Sequence, residues 1–181
     1  MSNKNLPQWR QELKSSQKKD LKFTGNRWIQ IATINSNNEP RLRTVVFRGW
    51  LKENSMLIFT DSRSEKYRDI KLNDNVEILW LFAKSKSQFR FKGNAKIVNE
   101  NTNYWDNLNE RSKSSWFWPN PSNLYSELDY KKNQKDSSKP NNFIVYEIVI
   151  HTVELLKLEK PIHKRFIWKE NNNWEKIRIN P

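Results

Sequence analysis

The stretch Arg41-Leu-Arg-Thr-Val-Val-Phe-Arg48, with the run Met56-Leu-Ile-Phe-Thr-Asp-Ser-Arg-Ser-Glu-Lys66 beyond it, decides the fold. β-Branched and aromatic residues make the first segment a strand. Alternation sets Arg43, Val45 and Phe47 on one face and Thr44, Val46 and Arg48 on the other. Lys52-Glu-Asn-Ser55 reads as a turn, and Met56-Leu-Ile-Phe59 as the returning strand. That strand runs into a helix start, where Ser62 and Glu65 have the S-x-x-E spacing of a capping box. Free backbone N–H groups there, with Arg63 and Lys66 on the terminus and Arg43 on the strand beside it, make a site for a phosphate. A later strand, Ser87-Gln-Phe-Arg-Phe-Lys-Gly93, adds an amide at Gln88. Together these predict a phosphate-bearing cofactor held against a β-sheet.

Outward from this centre the chain reads as short strands with a few helices. Pro7-Gln-Trp-Arg-Gln-Glu-Leu13 opens a helix with proline near its first turn. Trp28-Ile-Gln-Ile-Ala-Thr-Ile34 alternates as a strand, and Asn35-Ser-Asn-Asn-Glu-Pro40 is a turn. Strands 41–51 and 56–60, a helix from about 63 to 72, and strands 76–82 and 88–98 follow. A helix is expected over 101–110, carrying Tyr104, Trp105 and Leu108. Residues 112–142 are polar, proline-interrupted and irregular, with the aromatic knot Trp116-Phe-Trp-Pro119 anchoring one end. Strands return at 143–150, 153–158, 165–169 and 174–179. No repeat or boundary interrupts residues 1–181, so one mostly β domain is expected, its antiparallel strands closing into a barrel.

Composition narrows the chemistry. The 181 residues include no cysteine, which excludes thiolate catalysis, disulfides and sulfur-ligated metals. Two histidines, His151 and His163, are too few for an all-histidine zinc site, and no metal centre is expected. The polar N-terminus and the lack of an apolar run near ~20 residues predict neither secretion signal nor membrane span, hence the cytoplasm. The net charge of +13 raises nucleic-acid or anionic-lipid binding, but the lysines are dispersed and no recognition motif accompanies them. The charge better suits a solvated surface that also gathers an anionic small-molecule substrate.

The order R-x-R-T-V-V-F-R, F-T-D-x-R-S-x-K, Q-F-R-F-x-G and the closing Arg165-Phe166, Trp174, Arg178 and Pro181 resembles the pyridoxamine 5′-phosphate oxidase-related family of FMN-binding split barrels. The likeness runs from about Pro7 to Pro181. It implies FMN, with Arg43 gripping the phosphate and the backbone of Thr44, Val45, Val46 and Phe47 lying along the ring. It implies Phe59 and Thr60 as the aromatic-Thr pair beside the cofactor, and Ser64 and Lys66 on its phosphate. Glu65 stands where an oxidase carries arginine, and Arg63 is expected to supply that charge. Gln88 matches a glutamine that reaches the flavin, and Arg165 an arginine given to it by the neighbouring subunit, so a homodimer is implied. Singly, Arg43, Arg63 and Lys66 read as surface charges; their ordered coincidence is what gives them meaning. A strand edge can bond the ring's imide while apolar residues such as Val45 pack on its face.

The substrate half departs from the pattern. The family's C-terminal R-x-H pair is Pro161-Ile-His163, and the tryptophan that covers the flavin falls on Leu155. Arg48 stands for the substrate-phosphate lysine, keeping charge but not point-like geometry. Of the Y-x-x-x-R-x-x-x-S clamp, Tyr104 and Ser112 remain while Leu108 replaces the arginine, and Arg111 compensates in part. The expectation is an FMN-dependent oxidoreductase with a non-standard substrate, contacted by Arg48, Tyr104, Arg111 and His163, with no general base nominated. The alternatives are a genuine pyridoxamine or pyridoxine 5′-phosphate oxidase, and a non-enzymatic module binding flavin, haem or nucleic acid.

Overall fold

A computed structural model of the chain describes residues 6–20, 25–132 and 138–181. Eight strands form one antiparallel sheet: β1 Trp28–Ile34, β2 Pro40–Lys52, β3 Ser55–Asp61, β4 Asn75–Phe82, β5 Ser87–Ile97, β6 Phe143–Lys157, β7 Lys164–Lys169 and β8 Ile177–Ile179. Their order is β3-β2-β1-β4-β5-β6-β7-β8, and an added pairing of β3 with β6 closes the first six into a barrel. The N-terminal half of β6 carries that closure, from Phe143↔Asp61 to Val149↔Ser55. Its C-terminal half turns to β7, and β8 extends the flap beyond it. Among the described residues no helix is long and apolar enough to cross a membrane.

Alternation fills the barrel. Ile29 and Ile31, Val45 and Phe47, Met56 and Ile58, Ile78 and Trp80, Phe89 and Phe91, with Ile148 and Ile150, bury into one core. The helix α1, Gln8–Lys19, adds Trp9 and Leu13 to it. Trp9 packs at tilted and edge-on angles against Trp50, Phe91 and Trp174, at centroid separations of 5.7–5.9 Å. Glu12, on the same helix, pairs with Lys157 at 2.9 Å and Lys176 at 2.8 Å, fastening the helix to the flap.

Several local expectations change. β6 is one strand where two were read: it carries a bulge opposite Lys92 and Gly93 and continues. Glycine permits this, because a Cβ at position 93 would lie 2.3 Å from the Val149 carbonyl oxygen. The helix expected over 101–110 is two, α3 Thr102–Asp106 and α4 Glu110–Ser114. Asn109 breaks it by capping α4, its Oδ1 accepting from the Ser112 N–H at 2.8 Å. The last strand is confined to Ile177–Ile179, because Asn173 and Trp174 adopt positive φ and turn the chain first. The 112–142 region carries short helical turns, at Ser115–Phe117 and in α5, Glu127–Lys132; residues 133–137 lie outside the described residues.

Outside the barrel wall a second apolar cluster forms. Leu57, Phe143 and Val145 face outward and are covered by Trp105, with Phe59, Tyr104, Leu108, Trp116 and Phe117 packed around them. This cluster seats the helices that border the candidate site.

Candidate functional site

The helix after β3 is α2, Glu65–Leu72, with Ser64 as its N-cap. The capping box read between Ser62 and Glu65 does not form. Asp61 organises the turn instead: its Oδ1 accepts the Arg63 N–H at 2.7 Å and its carbonyl accepts the Ser64 N–H at 3.0 Å. Ser64 donates its hydroxyl to the Asp61 carbonyl at 2.7 Å, so no side chain caps the first turn of α2. Glu65 is drawn to Arg41 at 2.7 Å.

Three hydrogen-bonding groups converge at this turn. The Lys66 ammonium donates to Ser64 Oγ at 3.3 Å, and Thr60 Oγ1 lies 3.4 Å from the same oxygen. Lys66 makes no ion pair among the described residues. Burial lowers its pKa, and the nearby Arg43 lowers it further against the weaker pull of Asp61. A half-buried ammonium beside a second cation and two hydroxyls has the chemistry to receive a compact dianion.

Arg43 reaches this region from β2. Its guanidinium donates to Thr33 Oγ1, to the Arg41 carbonyl at 2.9 Å and to Asp69 Oδ2 at 3.2 Å. Thr33 donates to the same carboxylate oxygen at 2.7 Å. Asp69 and Thr33 are buried and were not singled out in the sequence. A signal for Asp69 was there: Arg41 and Arg43, two apart on a strand, span ~6.6 Å, and Glu65 and Asp69, four apart on a helix, span ~6 Å. The two ion pairs use that match.

Arg63 has a different position from the one anticipated. Asp61 holds it at 2.7–3.2 Å, and it also donates to Asn120 Oδ1 at 3.0 Å and the Trp118 carbonyl at 3.1 Å. It thereby pins the aromatic segment over the site. A cavity of ≈400 Å³ lies between that segment and Phe59, Thr60, Arg63 and Lys66, walled by Trp116, Trp118 and Tyr130.

On β2 the outward residues are Thr44, Val46 and Arg48. Val45 is buried in the barrel core, which corrects the expectation that its side chain packs on a flavin; the pleat turns it inward. A ligand along this strand would meet Val45 through its backbone.

Gln88 and Arg165 are far from the Lys66 turn within one chain. The registers Thr44↔Gln30, Gln30↔Leu79, Leu79↔Arg90 and Arg90↔Glu154 form one outward row. In the adjoining row Leu81 pairs Gln88, Gln88 pairs Leu156, and Leu156 pairs Arg165. Gln88 is therefore three strands from β2, roughly 14 Å across the sheet. Arg165 donates to Glu154 Oε2 through Nε at 3.1 Å and through Nη2, and Arg90 donates to the same oxygen. Leu155 faces the core, and Leu156 is the residue between Gln88 and Arg165. This outer face exposes Trp28 (55%), Leu42 (69%) and Leu81 (59%).

Of the substrate candidates, Arg48 and Tyr104 meet at one ring: the Arg48 guanidinium is 4.9 Å and the Tyr104 ring 6.0 Å from the Phe59 centroid. Leu108 packs in the neighbouring apolar cluster. Arg111 is exposed on α4, and the exposed His163 donates from Nδ1 to the Glu159 carbonyl at 3.0 Å, in the loop between β6 and β7. The structure does not bring these two together with Arg48.

Comparison with known proteins converges on the same region. The family model described as "Pyridoxamine 5'-phosphate oxidase, FMN-binding domain" matches residues 6–99. Pyridoxine/pyridoxamine 5′-phosphate oxidase 2 of Arabidopsis thaliana is 34% identical over 124 residues, 67% of this chain and 60% of the relative. The chain thus spans under two thirds of that relative's length. A pyridoxine/pyridoxamine 5′-phosphate oxidase of Leptospira biflexa is 23% identical over 167 residues, covering 84% of this chain and 78% of its own. The crystal structure of a pyridoxamine 5′-phosphate oxidase-related, FMN binding protein from Nostoc punctiforme superposes with TM-score 0.86 at 26% identity, over 98% of this chain and 99% of that one. PhzG from Burkholderia lata shares the fold, at TM-score 0.83, 16% identity, and 96% and 90% coverage. On the strength of the family model and the shared split barrel, the chain belongs to the pyridoxamine 5′-phosphate oxidase FMN-binding family.

Proposed function

We propose that this protein binds FMN and is an FMN-dependent oxidoreductase of a small anionic molecule. The observation that carries the proposal is the turn where Lys66, Ser64 and Thr60 converge beside Arg43, a cationic pocket with too little negative charge of its own. The FMN phosphate, a dianion, is the ligand of the family that suits it. Arg43 would grip that phosphate while Asp69 and Thr33 hold the guanidinium in orientation. Arg63 contributes field from the cavity wall and seats the Trp116–Trp118 segment. Bound FMN would supply two-electron redox chemistry, leaving the chain's own groups to bind, orient and exclude water.

The separation of Gln88 and Arg165 from the Lys66 turn supports a homodimer. Two copies pairing their exposed Trp28–Leu42–Leu81 faces would bring Gln88 and Arg165 of one subunit toward the β2 strand of the other. The flavin would lie at that interface. For the substrate, Arg48 with Tyr104 is the recognition end, whereas Leu108 and Pro161 stand where the family carries arginines. Losing each charge-assisted contact costs about 1.5–3 kcal/mol, so pyridoxamine phosphate in the family's usual pose is disfavoured. A genuine pyridoxine/pyridoxamine 5′-phosphate oxidase is the second reading, favoured by the curated relatives' names.

The test is the visible spectrum of the purified protein, with mass identification of any chromophore released on denaturation. Released FMN supports the proposal. A protein that stays colourless after incubation with FMN and gel filtration overturns it. Peroxide formation from pyridoxamine phosphate would then separate the two substrate readings.

A further inference from the structure

We propose that a second cavity along the Trp116–Trp118 segment binds an adenosine phosphate next to the flavin's own phosphate. The inference rests on the reading that the Lys66 turn holds that phosphate. It adds a second nucleotide half, supplied as the AMP half of FAD or as a separate adenine nucleotide. Besides the cavity that reaches Phe59, Thr60 and Lys66, one of ≈470 Å³ lies against the same aromatic segment. The two share Arg63, Trp118, Asn120 and Asn123 as walls, and the second continues to Phe117, Asp129 and Asn142. A ligand whose phosphate sits at Lys66 has room to extend past Arg63 into it.

The walls have the chemistry of a nucleobase site. Trp118 is 48% exposed, so the fold leaves much of its indole uncovered, with the Tyr130 ring 5.8 Å away. Planar bases stack on such rings whatever their identity. The amides select among them. Among the described residues the Asn123 side chain makes no hydrogen bond, so its donor and its acceptor are both open. That pair matches N6 and N7 of adenine, whereas guanine is matched by a cation. Asn120 spends only Oδ1, on Arg63 at 3.0 Å, and Asn142 only Nδ2, on Asp61 and the Trp116 carbonyl. Arg63 is neutralised by Asp61 and acts here as a donor rather than as free charge. Its bonds to Asp61, Asn120 and the Trp116 and Trp118 carbonyls leave one N–H on Nη1, which suits a phosphate oxygen. Asp129 stands at the rim, a carboxylate of the kind that accepts ribose hydroxyls. On the same reading the flavin ring lies along β2 and does not compete for this space.

The experiment compares FAD with FMN by calorimetric titration of the ligand-free protein, then titrates AMP into the FMN-loaded protein. FAD at least tenfold tighter than FMN identifies the second half as part of the cofactor; AMP binding to the loaded protein identifies a separate nucleotide. Where AMP binds, GMP should bind at least tenfold more weakly. Asn123→Leu should lower the ratio of FAD to FMN affinity, or the AMP affinity, at least fivefold. Trp118→Ala should do the same, and Trp118→Phe, which keeps a ring to stack on, should restore most of it. FAD no tighter than FMN with no AMP binding, GMP as tight as AMP, or indifference to both Asn123→Leu and Trp118→Ala overturns the proposal. If the protein binds neither flavin, AMP is titrated alone. AMP binding that depends on Trp118 there upholds the cavity while the flavin reading fails, and its absence removes both.

Discussion

Replacing Lys66 with methionine removes the cation on which the proposed phosphate site depends and keeps most of the side chain's apolar stem. The ammonium donates to Ser64 Oγ at 3.3 Å and has no ion pair among the described residues, so its charge is available to a ligand. A charge-assisted hydrogen bond contributes about 1.5–3 kcal/mol. Lys66→Met should therefore weaken FMN roughly ten- to 150-fold. Riboflavin, which has no phosphate, should bind the variant and the parent alike. Titration by flavin fluorescence, with both ligands on both proteins, measures the difference. A pH dependence follows with a definite sign. Burial and Arg43 depress the Lys66 pKa below its ordinary 10.5 in the ligand-free fold, and a bound dianion would raise it again. FMN affinity should then fall as pH rises through the ligand-free value, in the parent only. The same depression means that the ligand-free fold binds fewer protons than the unfolded chain between the depressed value and 10.5, so its stability rises with pH across that window. Ligand-free Lys66→Met should accordingly be no less stable than the parent. Equal losses for FMN and riboflavin, or an FMN affinity unmoved by the substitution, would refute the assignment.

Other expectations are simpler to state. Trp28→Glu, on the exposed outer face, should shift a dimer toward monomer in sedimentation and weaken FMN with it; loss of FMN with the dimer intact would detach the cofactor from the interface. Gly93→Ala drives a Cβ to within 2.3 Å of the Val149 carbonyl oxygen and should cost about 1–3 kcal/mol in denaturant unfolding, since backbone must shift at the bulge. Trp9→Ala empties the side chain against which Trp50, Phe91 and Trp174 pack, at about 3–5 kcal/mol by the same measurement. Burial works to raise the Glu12 pKa, but hydrogen bonds from Lys176 and Lys157 outweigh it and hold the group below its ordinary 4.5. Its contribution to stability is present above 4.5 and is lost as pH falls through the lower folded value; Glu12→Gln should flatten that part of the acid unfolding curve.

What the sequence determined by itself was what short-range periodicity encodes. Strand alternation around Val45 and Phe47, the turn after Lys52 and the helix after Phe59 are local consequences of side-chain shape and pleat, and they stood in the structure with small shifts at their ends. The residues of the Lys66 turn were legible for the same reason: Thr60, Ser64 and Lys66 fall within seven positions, so the turn alone brings them together. Tertiary structure decided everything that depends on which segments meet. The β3–β6 closure joins residues more than eighty positions apart, and the single bent β6 is possible only because Gly93 lets Val149 approach. The partners of the arginines came from distant elements: Asp69 from α2 takes Arg43, and Glu154 from β6 takes Arg90 and Arg165. Asp61 holds Arg63 only two positions away, yet Asn120 and Trp118 complete that contact from the far segment. Pleat periodicity says which face of a strand a charge occupies but not which carboxylate waits opposite it. The chain's order therefore carried the family's motifs, whereas the division of the candidate residues into two separated clusters became visible only when the sheet was closed.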